Sequence, residues 1–337
     1  MGIISYLTRR LIFFIPVLIG VTLITFTISH LVPGDPAVMM AGPKAKPEVV
    51  NKIRDDLGLN KPTHIQYLIY IKQLSKGDLG DSLHSHRPVL QDIKEYFPAT
   101  LELTIFSMII TLIIAIPFGV ISAKNKDRVP DHLSRFIALV GVATPSFWLG
   151  MMLLLIFYLV LGILPGGGRI SSAVSAPPTV TGLYVLDSIL NGNFQAFLSS
   201  LKHLILPSIT QAAYSIGLLT RMGRSSMLEV LRQDYIRTAR AKGLKEKVVI
   251  YKHALKNSLI PVITMVGMSF GYLLGGSVLT ETIFSWPGMG RYAVKAITFL
   301  DFPAVMGVTV IMALLFVLIN LMVDLAYYYV DPRIRLE

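Results

Sequence analysis

The chain has 337 residues, 53% of them hydrophobic and only 15% charged, with a mean hydropathy of +0.63 and a formal net charge of +11. Soluble domains carry about a quarter charged residues, so this balance excludes an ordinary soluble domain. The absence of cysteine excludes disulfides, thiolate metal sites and a cysteine nucleophile, and basic residues gathered in loops between apolar runs argue for a membrane rather than nucleic acid.

The first apolar run, 11–29, follows Arg9 and Arg10. It exceeds the ~7–15 residues of a signal-peptide core, and 30–36 offers no small-residue cleavage site, so it reads as a retained helix. Residues 33–100 read as an outside loop of short amphipathic helices. One opens at Pro47 and stops at Gly58. A capping-box pattern, Thr63-His-Ile-Gln66, leads into a second that ends at Gly77, and a third covers 88–97 before Pro98.

Charge-free runs at 103–123, 136–168, 204–220, 257–280 and 302–323 complete six expected spans of about 20 residues or more. The fourth is the weakest, holding Pro207, Gln211 and Ser215, and suits a helix surrounded by other helices. The outside segment before it begins glycine-rich, passes Pro177-Pro178 and turns amphipathic near 184–198. Gly267, Gly271 and Gly275 form a small-residue ladder on the fifth span, read as a packing face. Lys124, Lys126, Arg128 and Arg135, the dense run 221–256, and Arg333 with Arg335 all fall on one side. They place both termini in the cytoplasm of a multi-pass cell-membrane protein. The expected fold class is an all-α membrane protein with six transmembrane helices, a helical extracytoplasmic insertion within 1–98, and a core over 99–332 carrying a two-helix cytoplasmic loop at about 224–258.

That loop is too charged to insert, yet patterned as helix. Leu228, Leu231, Tyr235 and Ala239 trace one stripe, and Gly243 stands where a helix-ending glycine belongs. A second helix from Lys245 carries Val248, Val249, Tyr251, Ala254 and Leu255 and is expected to end near Asn257, before Pro261. The pattern alone fits two things equally: a rigid knob for a cytoplasmic partner, or a basic amphipathic loop on anionic headgroups.

Asp234-Tyr-Ile-Arg-Thr-Ala-Arg-Ala-Lys-Gly-Leu244 followed by His253-Ala-Leu-Lys-Asn-Ser-Leu-Ile-Pro261 resembles the coupling motif of binding-protein-dependent ABC importer permeases. Thr238, Ala239 and Gly243 take the principal positions, and Thr238 replaces the usual glutamate, a departure that looks like the peptide-importer branch. Leu31-Val-Pro-Gly-Asp-Pro36, Gly77-Asp-Leu-Gly80, Pro145-Ser-Phe-Trp-Leu-Gly150 and Glu281-Thr-Ile-Phe-Ser-Trp-Pro-Gly-Met-Gly290 resemble the dipeptide/oligopeptide/nickel permeases in the same order. The resemblance implies a permease subunit forming a path for di- or oligopeptides or similar solutes. Its implied partners are a second permease in a heterodimer, two ATP-binding subunits that bind ATP and Mg, an extracytoplasmic solute-binding protein, and the bilayer. Tyr235, Arg237, Thr238, Ala239, Lys242, Gly243 and Leu244 would form the ATPase-coupling site.

No phosphate-loop, H-E-x-x-H or Gly-x-Ser-x-Gly pattern occurs, so no catalytic residue, metal site or cofactor is expected on this chain. His84 and His86, a close pair, read as solvated loop residues rather than metal ligands. Gln211, Ser215, Asn320 and Asp324 are the polar candidates for a translocation path. Glu102 and Glu281, at outer span ends, read as solvated. The rival is an ion-gradient-driven secondary transporter, which calls for mid-membrane charges that these spans lack.

Overall fold

The computed structural model describes residues 3–31, 36–42, 45–56 and 58–330, which are helical with no strand among them. Residues 32–35 of the first resemblance motif, Arg333, Arg335 and the side chains of Arg9 and Asp324 lie outside the described residues.

α1 (Ile3–Leu31) leads to three short helices: α2 (Pro36–Ala41), α3 (Pro47–Asp56) and α4 (Thr63–Leu74). Glycines with positive φ follow α3 and α4, at Gly58 and Gly77, as expected. The capping box does not form. Thr63 is already helical, Pro62 takes the cap position, and the Gln66 amide donates back to the Leu59 and Lys61 carbonyls. The third short helix is likewise absent as a separate piece. α5 (Val89–Lys124) runs through Pro98 without a break. Lys94 and Glu95 are exposed there, so the carbonyls that Pro98 leaves unpaired can reach water.

The third run divides. α6 (Val129–Ala143) and α7 (Ser146–Leu153, continued as π-helix over Leu154–Val160) meet at 104°. Pro145 forbids the helical conformation at the residue before it, and Thr144 is extended at φ −82°, ψ 124°. A single unbroken span over 136–168 is therefore incorrect.

α8 (Tyr184–Leu190) closes a loop organised by Asp187, which accepts bonds from the Val180, Thr181 and Gly182 amides and the Thr181 hydroxyl at 2.7–3.2 Å. Burial alone would raise that carboxyl, but these donors outweigh it and hold it below its ordinary value. The amphipathic stretch near 184–198 is two elements. Asn193 accepts from the Ala196 amide and caps a new helix, α9 (Phe194–Val230).

α9 is the centre of the bundle, packed against α5, α6, α7, α8 and α12 (Leu255–Ile283). Its buried residues include an unusual number of polar ones: Ser208, Thr210, Gln211, Ser215 and Thr220 are all enclosed. Among the described residues four helices meet the length and apolarity of a span, or five with the bent pair as one, against the six expected. α9 has the length, 37 residues, but is not among them. A helix walled by protein does not need a lipid-like composition.

α13 (Met289–Thr298) and α14 (Phe302–Val330) are the last described elements. α14 packs on α12 and α1. Of the expected glycine ladder, Gly267 meets Val323 and Gly271 meets Phe316 on α14, while Gly275 faces open space.

Candidate functional site

The two-helix loop grows out of the end of α9. α10 (Asp234–Ala241) closes on Gly243 at φ +75°, where the Gly243 amide donates to the Arg240 carbonyl at 2.9 Å and the Leu244 amide to the Ala239 carbonyl at 3.4 Å. This paired arrangement requires a left-handed residue, which glycine supplies without a Cβ penalty. The chain then re-enters helix at α11 (Glu246–Val248) and passes through a π-helical stretch, Val249–Ala254, into α12.

The second loop helix does not end near Asn257; helix continues through Pro261 to Ile283. Pro261 removes the amide that would pair with the Asn257 carbonyl, and at the next residue the Ser226 hydroxyl of α9 donates to the Ser258 carbonyl at 2.9 Å, holding that turn against α9. The second loop helix and the span are thus one continuous helix from Glu246, with α10 set off from it by the turn at Gly243.

The loop has an inner and an outer side. Ile236, Ala239, Val249, Ile250 and Ala254 are buried with Met227 of α9 and Val120 and Ala123 of α5. Tyr235, Arg237, Thr238, Lys242, Gly243 and Leu244 are exposed, and so are Val248 and Tyr251. Of the coupling candidates, Ala239 is therefore a packing residue and the other six share the outer side. The expected stripe missed Ile236, which is fully buried, and included Tyr235, which points outward. The Asn257 amide donates to the Tyr235 hydroxyl at 2.8 Å, tying α10 to α12. Arg240 and Glu246 pair at 2.8 Å across the glycine turn with both side chains exposed. Exposed pairs contribute about 0.2–1 kcal/mol, so Glu246→Gln is expected to leave thermal unfolding of the purified protein nearly unchanged.

The path candidates separate. Gln211 lines a cavity of about 210 Å³ at the Thr144–Pro145 break, with Ser146, Thr210, Tyr214, Tyr272 and Thr280. Its amide donates to the Leu273 carbonyl, and the Ser107 hydroxyl lies 3.5 Å from its side-chain oxygen. Ser215, one turn on, is buried with no partner for its hydroxyl, outside that lining. Asn320 donates to the Phe316 carbonyl of its own helix at 2.8 Å and does not line the cavity.

Residues 115–336 match the family described as binding-protein-dependent transport system inner membrane component, and residues 3–104 match its N-terminal region. The chain belongs to that family. It is 52% identical to a dipeptide transport system permease protein of Alkalihalophilus pseudofirmus, covering 98% of this chain and 99% of the relative. It is 49% identical to a probable D,D-dipeptide transport system permease protein of Escherichia coli, covering 98% and 97%. The fold resembles a chain of the MetNI methionine ABC transporter in an inward-facing form, with a TM-score of 0.52 at 15% identity, over 69% of this chain and 93% of that one.

In this permease chain Glu102 and Glu281 are not solvated, contrary to expectation. Glu102 is buried and accepts from Arg169 at 2.6 Å and from the Val185 amide at 2.8 Å. Arg169 is itself buried, lying 3.7 Å over the Tyr184 ring and donating to the Gly182 carbonyl. Glu281 is enclosed by the motif it opens, accepting from the Thr100 hydroxyl at 2.6 Å and the Arg291 amide at 3.0 Å. Trp286 of that motif is buried, and its indole donates to the Ala99 carbonyl. His84 stacks on Phe299 with ring centroids 4.0 Å apart. The cavity residues Thr144, Ser146, Thr210 and Tyr272 were missed in sequence because only the helix break brings them together.

Proposed function

We propose that this permease is one of two, forming a heterodimer, in an ATP-driven importer of dipeptides or similar peptides in the cell membrane. Both termini and the α9–α12 loop face the cytoplasm. ATP and Mg are held by two partner ATP-binding subunits, and an extracytoplasmic binding protein delivers the solute. The outer side of the loop, with Tyr235, Arg237, Thr238, Lys242, Gly243 and Leu244, docks an ATP-binding subunit. Gln211 faces the solute path.

The observation that carries this reading is the continuity of the loop with α12. From Glu246 to Ile283 the helix is continuous, so a displacement of the loop's second helix carries to Leu273, whose carbonyl holds Gln211. Apolar groups ringed by polar ones on a rigid base are what a docking hot spot requires. The spans lack the mid-membrane charges that a gradient-driven carrier uses.

The test is co-purification from mild detergent of the tagged chain with its second permease and ATP-binding subunits, wild type beside Gly243→Val and Leu244→Glu. A Cβ at Gly243 meets no neighbour within 4 Å, so the valine acts through backbone strain of about 1–2 kcal/mol and not through a clash. Both variants are expected to keep the second permease and lose most of the ATP-binding subunit. Retention of that subunit at wild-type levels by both variants would overturn the docking site. Failure of any ATP-binding subunit to accompany the wild type would overturn the importer reading.

A further inference from the structure

At the same end of the bundle as the α9–α12 loop, an open groove of about 610 Å³ lies between α6 and α9. It is lined by His132, Arg135, Phe136 and Leu139 of α6 and by Arg221 and Arg224 of α9. Positions 132, 135, 136 and 139 fall on one helix face, as spacings of three and four require.

The charges in this groove are unbalanced. Arg224 is spent on Asp131, a fully buried carboxylate that it binds through two nitrogens at 2.8 Å and that also accepts from Ser122. The neighbouring Asp127 pairs with Lys126. His132, Arg135 and Arg221 are exposed and take part in no ion pair among the described residues. An ion-paired scaffold thus holds two unpaired guanidinium groups and an imidazole at the groove mouth.

Along α6 the lining changes from basic to apolar. Phe136 is 63% exposed and Leu139 60% exposed, and no acidic residue follows them on that helix. From residue 132 to residue 139 a helix rises roughly 10 Å, about the depth from a headgroup into the acyl region. A soluble anion would have no use for the apolar half, and a neutral lipid none for the unpaired cations.

We propose that this groove binds an anionic phospholipid, its phosphate against Arg135 and Arg221 and its acyl chain along Phe136 and Leu139. Guanidinium groups suit phosphate because they offer forked donors in a plane. The inner leaflet supplies such lipids and concentrates near basic groups. The orientation proposed above serves only to name the leaflet. The lipid would brace α6 against α9 at the end of α6 away from the Thr144–Pro145 break.

Native mass spectrometry of the detergent-purified complex tests this with phosphatidylglycerol and phosphatidylcholine of equal chain length as probes. The wild type is expected to retain phosphatidylglycerol in preference. Arg135→Gln/Arg221→Gln is expected to weaken that retention about thirty-fold, the effect of two basic residues at a membrane surface. Arg135→Lys/Arg221→Lys keeps the charges and is expected to restore most of it. Leu139→Gln leaves the charges in place and is expected to weaken retention as well, which covers the case in which the glutamine pair fails to assemble.

Equal retention of the two lipids by the wild type would overturn the proposal. Displacement of phosphatidylglycerol by inorganic phosphate would do the same, marking the groove as a soluble-anion site. Loss of retention with the ATP-binding subunits still attached separates this site from the docking loop.

Discussion

Arg169→Met is expected to cost about 3–5 kcal/mol of stability. The side chains of Arg169 and Glu102 are 7% and 2% exposed. Removing the arginine leaves a carboxylate enclosed by Leu103, Val185, Leu204 and Trp286, with the Val185 amide as its one remaining donor. A buried charge without its counter-ion loses the attraction but keeps the full desolvation cost. The pair also joins α5 to the loop before α8, so its loss releases Tyr184 and the Gly182 carbonyl together. The double variant Glu102→Leu/Arg169→Met removes both charges, and it is expected to recover more than half of the loss because an apolar pair of similar volume replaces them. Thermal unfolding of the purified chain in detergent measures both variants. A double variant as unstable as Arg169→Met would show that packing around the guanidinium, and not an unpaired charge, carries the effect.

The features legible in the sequence are those written in neighbouring residues. Gly243 sits one helix length beyond Asp234, so the turn between the loop helices follows from local spacing, and its positive φ agrees. Pro145 signals the broken third span as plainly, because proline constrains the residue before it. The continuous apolar run on both sides masks it. Proline at Pro98 and Pro261 carries the same local signal, yet the helices continue there. The difference lies in surroundings that the local sequence does not state: the turn before Pro98 is open to water, and the turn before Pro261 is held to α9 by the Ser226–Ser258 bond. The burial of Glu102 and Glu281 is hidden for the same reason. Arg169 is 67 residues from Glu102 and Thr100 is 181 from Glu281, so each carboxylate looks like an unpartnered helix end until the fold closes. The polar residues of α9 read as a weak span for a related reason, since composition reports what a helix is made of and not what surrounds it. Gln211 was identifiable as an odd polar residue in an apolar run, but its cavity exists only because α6 and α7 part beside it.

Gly217→Ala is expected to destabilise by about 1–3 kcal/mol, and Gly217→Leu by more, because α6 and α9 cross with their backbones in contact at that residue. A Cβ on Gly217 would stand 2.7 Å from Val142 and closer still to the Ala138 carbonyl oxygen; one on Gly141 would stand 2.6 Å from the Ala213 carbonyl oxygen. Carbonyl oxygens belong to the helix backbone and cannot rotate away, so either methyl forces the helices apart. Small residues at such crossings are what permit close approach inside a membrane. Gly141→Ala is expected to cost a similar amount, but the two do not add. Once one methyl has separated the helices, the second occupies space already opened, and the double variant should be less than the sum by at least about 0.5 kcal/mol. Gly275→Ala is the control: nothing lies within 4 Å of its Cβ, so a helix-interior alanine should be neutral or slightly stabilising there. Thermal unfolding of the four variants gives the cycle directly, and strict additivity of Gly141→Ala and Gly217→Ala would mean that the two contacts relax independently. Because α6 carries Arg135 at one end and meets the Gln211 cavity at the other, the same separation is expected to weaken phosphatidylglycerol retention and solute uptake together in Gly217→Leu. Uptake lost with retention intact would instead confine the disturbance to the cavity end of α6.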